Sequence, residues 1–109
     1  MLLFKEKNSG DYSHEYIGNI EIPEVVTYEG KTYNVTTLGR YAFSLNSDIK
    51  NIHIPNSITK IEESAFQNCT GLASLTIPNS VTHIEDYAFV FCRNVTELTI
   101  SNNIKRGRV

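Results

Sequence analysis

Residues 54–76, IPNSITKIEESAFQNCTGLASLT, run without a break into residues 77–99, IPNSVTHIEDYAFVFCRNVTELT, and twelve of the 23 positions are identical. A tandem period constrains a fold more tightly than composition does, because each unit must bury against its copy a face that it cannot bury alone. Residues 35–53 align with 81–99 without a gap: Val35 over Val81, Leu38 over Ile84, Ala42-Phe43 over Ala88-Phe89, Ile49 over Val95. Ile22-Pro23 matches the opening of the later units, but nine extra residues intervene before Val35. They fall within the stretch VVTYEGKTYNV, residues 25–35, with β-branched and aromatic residues around Glu29-Gly30, which is the signature of a hairpin. A further unit opens at Ile100 and stops almost at once.

Repeats made of paired helices need about 33–47 residues, whereas units built on one strand and a short return run to about 20–29. A helical reading still has some force. Ile58, Ile61, Ala65, Phe66, Cys69 and Leu72 recur at steps of three and four. It fails over the whole unit because SLTIP alternates and ends in Pro78, and because SITKIE and SVTHIE are rich in β-branched residues. Only EESAFQNC and EDYAFVFC read as helix, a turn or two each, opened by acids that suit a helix N-terminus. Stacking the units places like residues in columns, so the expected core ladder is Ile61 and Ile84, then Phe43, Phe66 and Phe89, then Cys69 and Cys92, then Leu75 and Leu98.

The pattern Ile-Pro-x-x-Val-x-x-Ile-x-x-x-Ala-Phe-x-x-Cys-x-x-Leu-x-x-Leu is carried by Ile77, Pro78, Val81, Ile84, Ala88, Phe89, Cys92, Val95 and Leu98, and by the residues 23 earlier. It resembles the BspA-like class of leucine-rich repeat over residues 20–104. The chain departs from that class in its brevity, in Gly39 where later units carry Glu62 and Glu85, and in Asn46 at the cysteine position. The fold expected is an α/β solenoid: a short leucine-rich-repeat stack of about three rungs, with parallel strands, short helices and an N-terminal β-hairpin cap. Residues 1–21 form the N-terminal β cap and 22–53 the first repeat with its hairpin insertion. The second and third repeats are 54–76 and 77–99, and 100–109 is an incomplete fourth repeat and tail. Such proteins are mainly surface and secreted proteins of host-associated anaerobes and some protists, implicated in adhesion and host-protein binding. The resemblance therefore implies a non-catalytic protein-binding or adhesion module of a cell-surface or secreted protein. The alternative is a structural spacer, or a truncated piece of a longer solenoid with no activity of its own.

A net charge of −2 gives no electrostatic footprint for nucleic acid or an anionic membrane. The basic cluster Lys105, Arg106 and Arg108 reads as a solvated tail. No 18-residue apolar run is present, so no membrane insertion is expected, and MLLFKEKN is too short for a signal-peptide core. If the native protein is exported, its signal lies outside this chain.

Cys69 and Cys92, one period apart, should lie about 5 Å apart at Cα, within disulfide range. Stacked side chains point the same way, however, so the favoured reading is a column of buried, reduced thiols with raised pKa values, continued by Asn46 bonding to nearby backbone. No third cysteine or clustered histidine is in register for zinc, and His14, His53 and His83 fall at unrelated repeat positions. Glu62-Glu63 and Glu85-Asp86 could hold calcium, but acids satisfying helix-start amides are the plainer account. No nucleophile elbow, phosphate loop or nucleophile–base pair appears, so no catalytic residue and no cofactor are expected.

What remains is surface. The outward strand positions form three rows: Lys50, Ala73 and Thr96; Asn51, Ser74 and Glu97; His53, Thr76 and Thr99. The candidate binding face is Lys50, Asn51, His53, Ser74, Thr76, Thr96, Glu97 and Thr99, small and polar, without an aromatic anchor. The partner expected is a protein, including a host extracellular one, or a glycan. Tyr12, Tyr16, Tyr28 and Tyr33 supply the exposed aromatics of the N-terminal segment. The C-terminal edge has no evident cap, since Gly107 stands where Ile61 and Ile84 stood. An open parallel edge invites self-association, most simply a homodimer.

Overall fold

The computed structural model describes residues 16–100, 103, 104, 106 and 107. The strands are β1 (Gly18–Glu21), β2 (Val25–Tyr28), β3 (Lys31–Asn34), β4 (Thr37–Leu38), β5 (Ile49–His53), β6 (Lys60–Ile61), β7 (Ser74–Thr76), β8 (His83–Ile84), β9 (Glu97–Thr99) and β10 (Arg106–Gly107). Two parallel columns arise from the period. In one, β4, β6, β8 and β10 pair in that order, stacking Thr37, Lys60, His83 and Arg106, and Leu38, Ile61, Ile84 and Gly107. In the other, β1 pairs with β5 and β7 with β9, placing Ile20 on Ile52 and Leu75 on Leu98. Each step in the first column is 23 residues, so every inward residue meets its own equivalent and both strand faces keep one identity.

The hairpin β2–β3 pairs Val25 with Asn34 and Tyr28 with Lys31. Glu29 and Gly30 at its tip have φ of 50° and 77°, the two left-handed residues that a tight hairpin turn requires. It does not cover the first unit. Of its strand residues only Val26 is half-buried and packs on the core, while Val25 and Tyr28 stand in solvent. The expected cap segment 1–15 and Tyr12 lie outside the described residues. The part of the cap that is described is a further strand: β1 joins the strand column in parallel with β5 rather than folding over it.

The short helices are replaced by chained turns, and none of the described residues is helical. In each unit the Ala amide donates three residues back: Ala42 to Gly39 O (3.1 Å), Ala65 to Glu62 O (3.2 Å), Ala88 to Glu85 O (3.4 Å). The residue before each Ala is left-handed, with φ of 57° at Tyr41, 58° at Ser64 and 62° at Tyr87, and so is the residue four later, at Leu45, Asn68 and Phe91. A left-handed residue every four positions cannot propagate a right-handed helix. It turns alternate amides outward to the next unit instead. Tyr41, Phe43 and Leu45 donate to Glu63, Ala65 and Gln67 at 2.8–3.3 Å, and Ser64, Phe66 and Asn68 repeat this onto Asp86, Ala88 and Val90. A non-glycine left-handed residue costs of the order of 1 kcal/mol, and the inter-unit hydrogen bonds it permits offset that.

The core lies between the columns. Phe43, Phe66 and Phe89 stack with ring centroids 5.3 and 5.2 Å apart and planes within 13° of parallel, and Tyr16 tilts onto Phe43 at 5.0 Å. Ile61, Ile84, Cys69 and Leu75 are buried. The ladder loosens at its last step. Phe89 and Cys92 are only half-buried, and Leu98 is 48% exposed where its equivalent Leu75 is 3% exposed. Leu98 is therefore not a core residue here: among the described residues no further strand covers β9.

Candidate functional site

The strand face carries the candidate rows, and the pairing registers show how they line up. Asn19 stands opposite Asn51 and Glu21 opposite His53; Ser74 stands opposite Glu97 and Thr76 opposite Thr99. The side chains join across strands. Asn51 Nδ2 donates to Asn19 Oδ1 at 2.9 Å, and His53 Nδ1 lies 2.8 Å from Glu21 Oε1. Both pairs are exposed, so they orient the face more than they stabilise it.

Between β5 and β7 the ladder stops. No backbone hydrogen bond joins the two strands among the described residues, although the units are tightly bonded through their turns. The units come close just before β7, where a Cβ on Gly71 would run into Ser47 O and lie 2.9 Å from Ile49 O.

Along this seam runs a groove of about 610 Å³. Ile52, Ile54 and Ile77 contribute apolar surface, and Asn51, His53, Ser74, Thr76 and Thr99 contribute polar groups. Those five are legible in the sequence as outward strand positions. Lys50, Thr96 and Glu97, which belong to the same rows, do not line the groove. Four polar residues escape the sequence reading: Asn19 and Glu21 from β1, and Asn56 and Asn79 from the Pro-Asn turns. A signal is present for all four, because GNIEIP repeats the strand-to-Pro pattern of ASLTIP and IPN recurs at 54–56 and 77–79. Among the described residues no Lys or Arg lines the groove and Glu21 is its one carboxylate, so it suits neutral, hydrogen-bonding ligands and disfavours polyanions.

The acidic pairs sit elsewhere, and Glu62, Glu63 and Glu85 face cations, not helix amides. Glu63 Oε1 is 3.4 Å from Arg40 Nε, and Lys60 Nζ lies 3.6 Å from Glu62 Oε2 and 3.9 Å from Glu85 Oε2. Among the described residues no three His, Cys, Asp or Glu side chains are grouped to hold a metal ion, and no helix is long and apolar enough to cross a membrane.

Neither cysteine is in a disulfide, and each thiol donates to the carbonyl of the phenylalanine one unit back: Cys69 Sγ to Phe43 O and Cys92 Sγ to Phe66 O, both at 3.0 Å. Asn46 occupies the same column, accepting from Tyr16 N at 3.2 Å and donating to Ser44 O at 3.1 Å. The expected rise in thiol pKa does not hold at Cys92. Its hydrogen bond with the Cys69 thiol holds it below the ordinary thiol range, against burial, which alone would raise it.

The family model for the BspA-type leucine-rich repeat region, in six copies, matches residues 12–107. The chain belongs to the BspA-type leucine-rich repeat family. A leucine-rich repeat protein from Bacteroides ovatus, solved as a crystal structure, is similar at 33% identity and a TM-score of 0.77, over 82% of this chain and 24% of its own. A leucine-rich cell surface protein from Faecalibacterium prausnitzii shares the fold at 20% identity and a TM-score of 0.54, over 82% of this chain and 37% of its own. The chain thus spans well under half the length of either. Among curated proteins nothing matches it.

Proposed function

We propose that this BspA-type repeat is a non-catalytic binding module of a cell-surface or secreted protein, with the groove along β1, β5, β7 and β9 as its recognition surface. The observation that carries the reading is the groove itself. Amides and hydroxyls from several units converge over an apolar floor, and among the described residues no metal-holding cluster of titratable groups accompanies them. Such a surface recognises shape and hydrogen bonds, as a protein or glycan partner would present, and the cell-surface name of the Faecalibacterium relative fits that setting. An array of extracellular-matrix proteins and glycans, probed with the chain and with Thr76→Arg, tests it. Thr76 is exposed, so the variant should fold and lose binding about tenfold or more. Equal binding by both, or none by either, returns the spacer reading.

A second reading concerns assembly, and the outer side of the third repeat favours it. Leu98 on β9 and Tyr87 and Phe91 in the preceding turns are exposed, and Phe89 and Phe91 stand where earlier units donate amides onward but have no acceptor among the described residues. The occupant proposed is a second copy of this chain, pairing edge to edge. Light scattering over a concentration series should show the mass rising toward a dimer, and Leu98→Lys should hold it monomeric. A strict monomer at every concentration would overturn the assembly reading.

A further inference from the structure

The seam between β5 and β7 leaves backbone groups of the groove unpaired. The isoleucine that opens a unit normally donates its amide to the neighbouring strand: Ile22 N–H to His53 O at 3.2 Å, and Ile77 N–H to Thr99 O at 2.8 Å. Ile54 is the equivalent residue between them, and Thr76 O is the acceptor its position calls for, but that bond does not form. The other end of the seam repeats the break. Thr96 N–H reaches Ala73 O at 2.9 Å, whereas Ala73 N–H makes no bond to Lys50 O. Ile54 is buried, and a buried amide with no partner among the described residues is rare and costly. Ile54 and Thr76 both line the groove, so a bound molecule can reach what the ladder leaves open.

Taking the groove as the recognition surface, we propose that its ligand is an uncharged, extended β-1,4-linked glycan lying across β1, β5, β7 and β9, with a hydroxyl bridging Ile54 N–H and Thr76 O. A hydroxyl donates and accepts at once, so a single one satisfies both sides of the seam. The spacing agrees with such a chain. Neighbouring strands stand about 4.8 Å apart. The rows Asn19, Asn51, Ser74 and Glu21, His53, Thr76, Thr99 therefore offer a polar group once per strand. An extended β-1,4-linked chain advances by close to that distance per ring. An extended peptide repeats every two residues, about 6.7 Å, and falls out of step at the next strand. The charge agrees as well. Glu21, the one carboxylate of the lining, is engaged by His53 at 2.8 Å, and no Lys or Arg lines the groove to receive a sulfate or uronate. The half-buried Ile20, Pro78 and Ile100 give the C–H faces of the rings an apolar bed. These rows run along the face of the stack, which a neighbouring unit lengthens and does not cover.

The test titrates the isotope-labelled 109-residue chain with cellohexaose, xylohexaose and mannohexaose and follows the backbone amides by NMR. A heparin hexasaccharide and a Ser-Thr hexapeptide serve as comparisons. At least one neutral sugar should shift the Ile54 amide saturably, together with Asn51, His53, Ser74 and Thr76, and its affinity should rise from disaccharide to tetrasaccharide. Thr76→Arg should weaken that binding at least about tenfold. Lys50→Ala, at a side chain outside the groove, should leave it unchanged. The heparin fragment should leave the groove amides in place. Saturable shifts with the hexapeptide and with none of the neutral sugars would overturn the glycan proposal and keep the groove as a recognition surface. Sugar shifts confined to other faces would overturn both. No shift with any neutral sugar overturns the glycan proposal alone, because the protein array with Thr76→Arg judges the groove separately. The amide map of the parent chain decides the matter even if a variant fails to fold.

Discussion

Phe66→Ala should remove about 3–5 kcal/mol of stability, the usual loss for a buried aromatic whose site cannot collapse. Phe66 is fully buried and sandwiched, with Phe43 stacked at 5.3 Å on one side and Phe89 at 5.2 Å on the other. Truncation breaks both stacks. Its neighbours cannot close the gap, because the backbone on each side is fixed by Phe43 N–H to Ala65 O and Phe66 N–H to Ala88 O, both 2.8 Å. Against the roughly 5–15 kcal/mol typical of whole domains, this is a large share. Phe89→Ala should do less harm, since Phe89 is stacked on one side and half-buried, and Phe91→Ala, at an exposed ring, should be nearly neutral. Urea unfolding of the three variants gives the ranking. A loss below about 1 kcal/mol at Phe66 would show that the ring column is not the core.

That ranking marks where the sequence speaks and where it falls silent. The period was legible, and with it the inward set and the 23-residue register, because repetition puts every equivalent side chain in the same surroundings. The weakening at Phe89, Cys92 and Leu98 was not, since it depends on the cover over the last full unit and not on the residues themselves. The helices were misread for a physical reason. Apolar residues at steps of three and four suit a helix face, but they suit a run of three-residue-back turns equally well. Backbone handedness at positions 41, 45, 64, 68, 87 and 91 separates the two. Tyr, Leu, Ser, Asn, Tyr and Phe occupy them, and only Asn commonly marks a left-handed site. The groove was half legible. Its strand rows come from alternation, but β1 read as a cap because its unit has no preceding copy among the recognisable repeats. The contribution of Asn19 and Glu21 was missed with it.

Gly71→Ala is the second large effect expected, and its sign has to be argued. Adding a methyl group at a glycine of ordinary φ usually stabilises by about 0.4–1 kcal/mol, because the unfolded chain loses freedom. Here the methyl carbon would run into Ser47 O and meet Ile49 O at 2.9 Å. Both are backbone atoms, so no side chain can swing aside. The strand that carries Ile49 is tied to β1, and Gly18 N–H holds Asp48 O at 2.8 Å. Relief therefore means moving the first unit away from the second along the seam where no ladder bonds β5 to β7. Overpacking of this kind typically costs about 1–3 kcal/mol, which outweighs the entropic gain, so the variant should be destabilised. The neighbouring units supply the control. Asp48 and Asn94 occupy the same repeat position with side chains, and Asn94 uses its own to reach Thr70 O, so alanine there should change stability far less. The same displacement should alter the groove, since Asn51, His53, Ser74 and Thr76 border it from opposite sides of the seam. Thermal unfolding of the three alanine variants separates the cases. A Gly71→Ala protein as stable as the parent would mean that the two units do not approach as closely as their turns require.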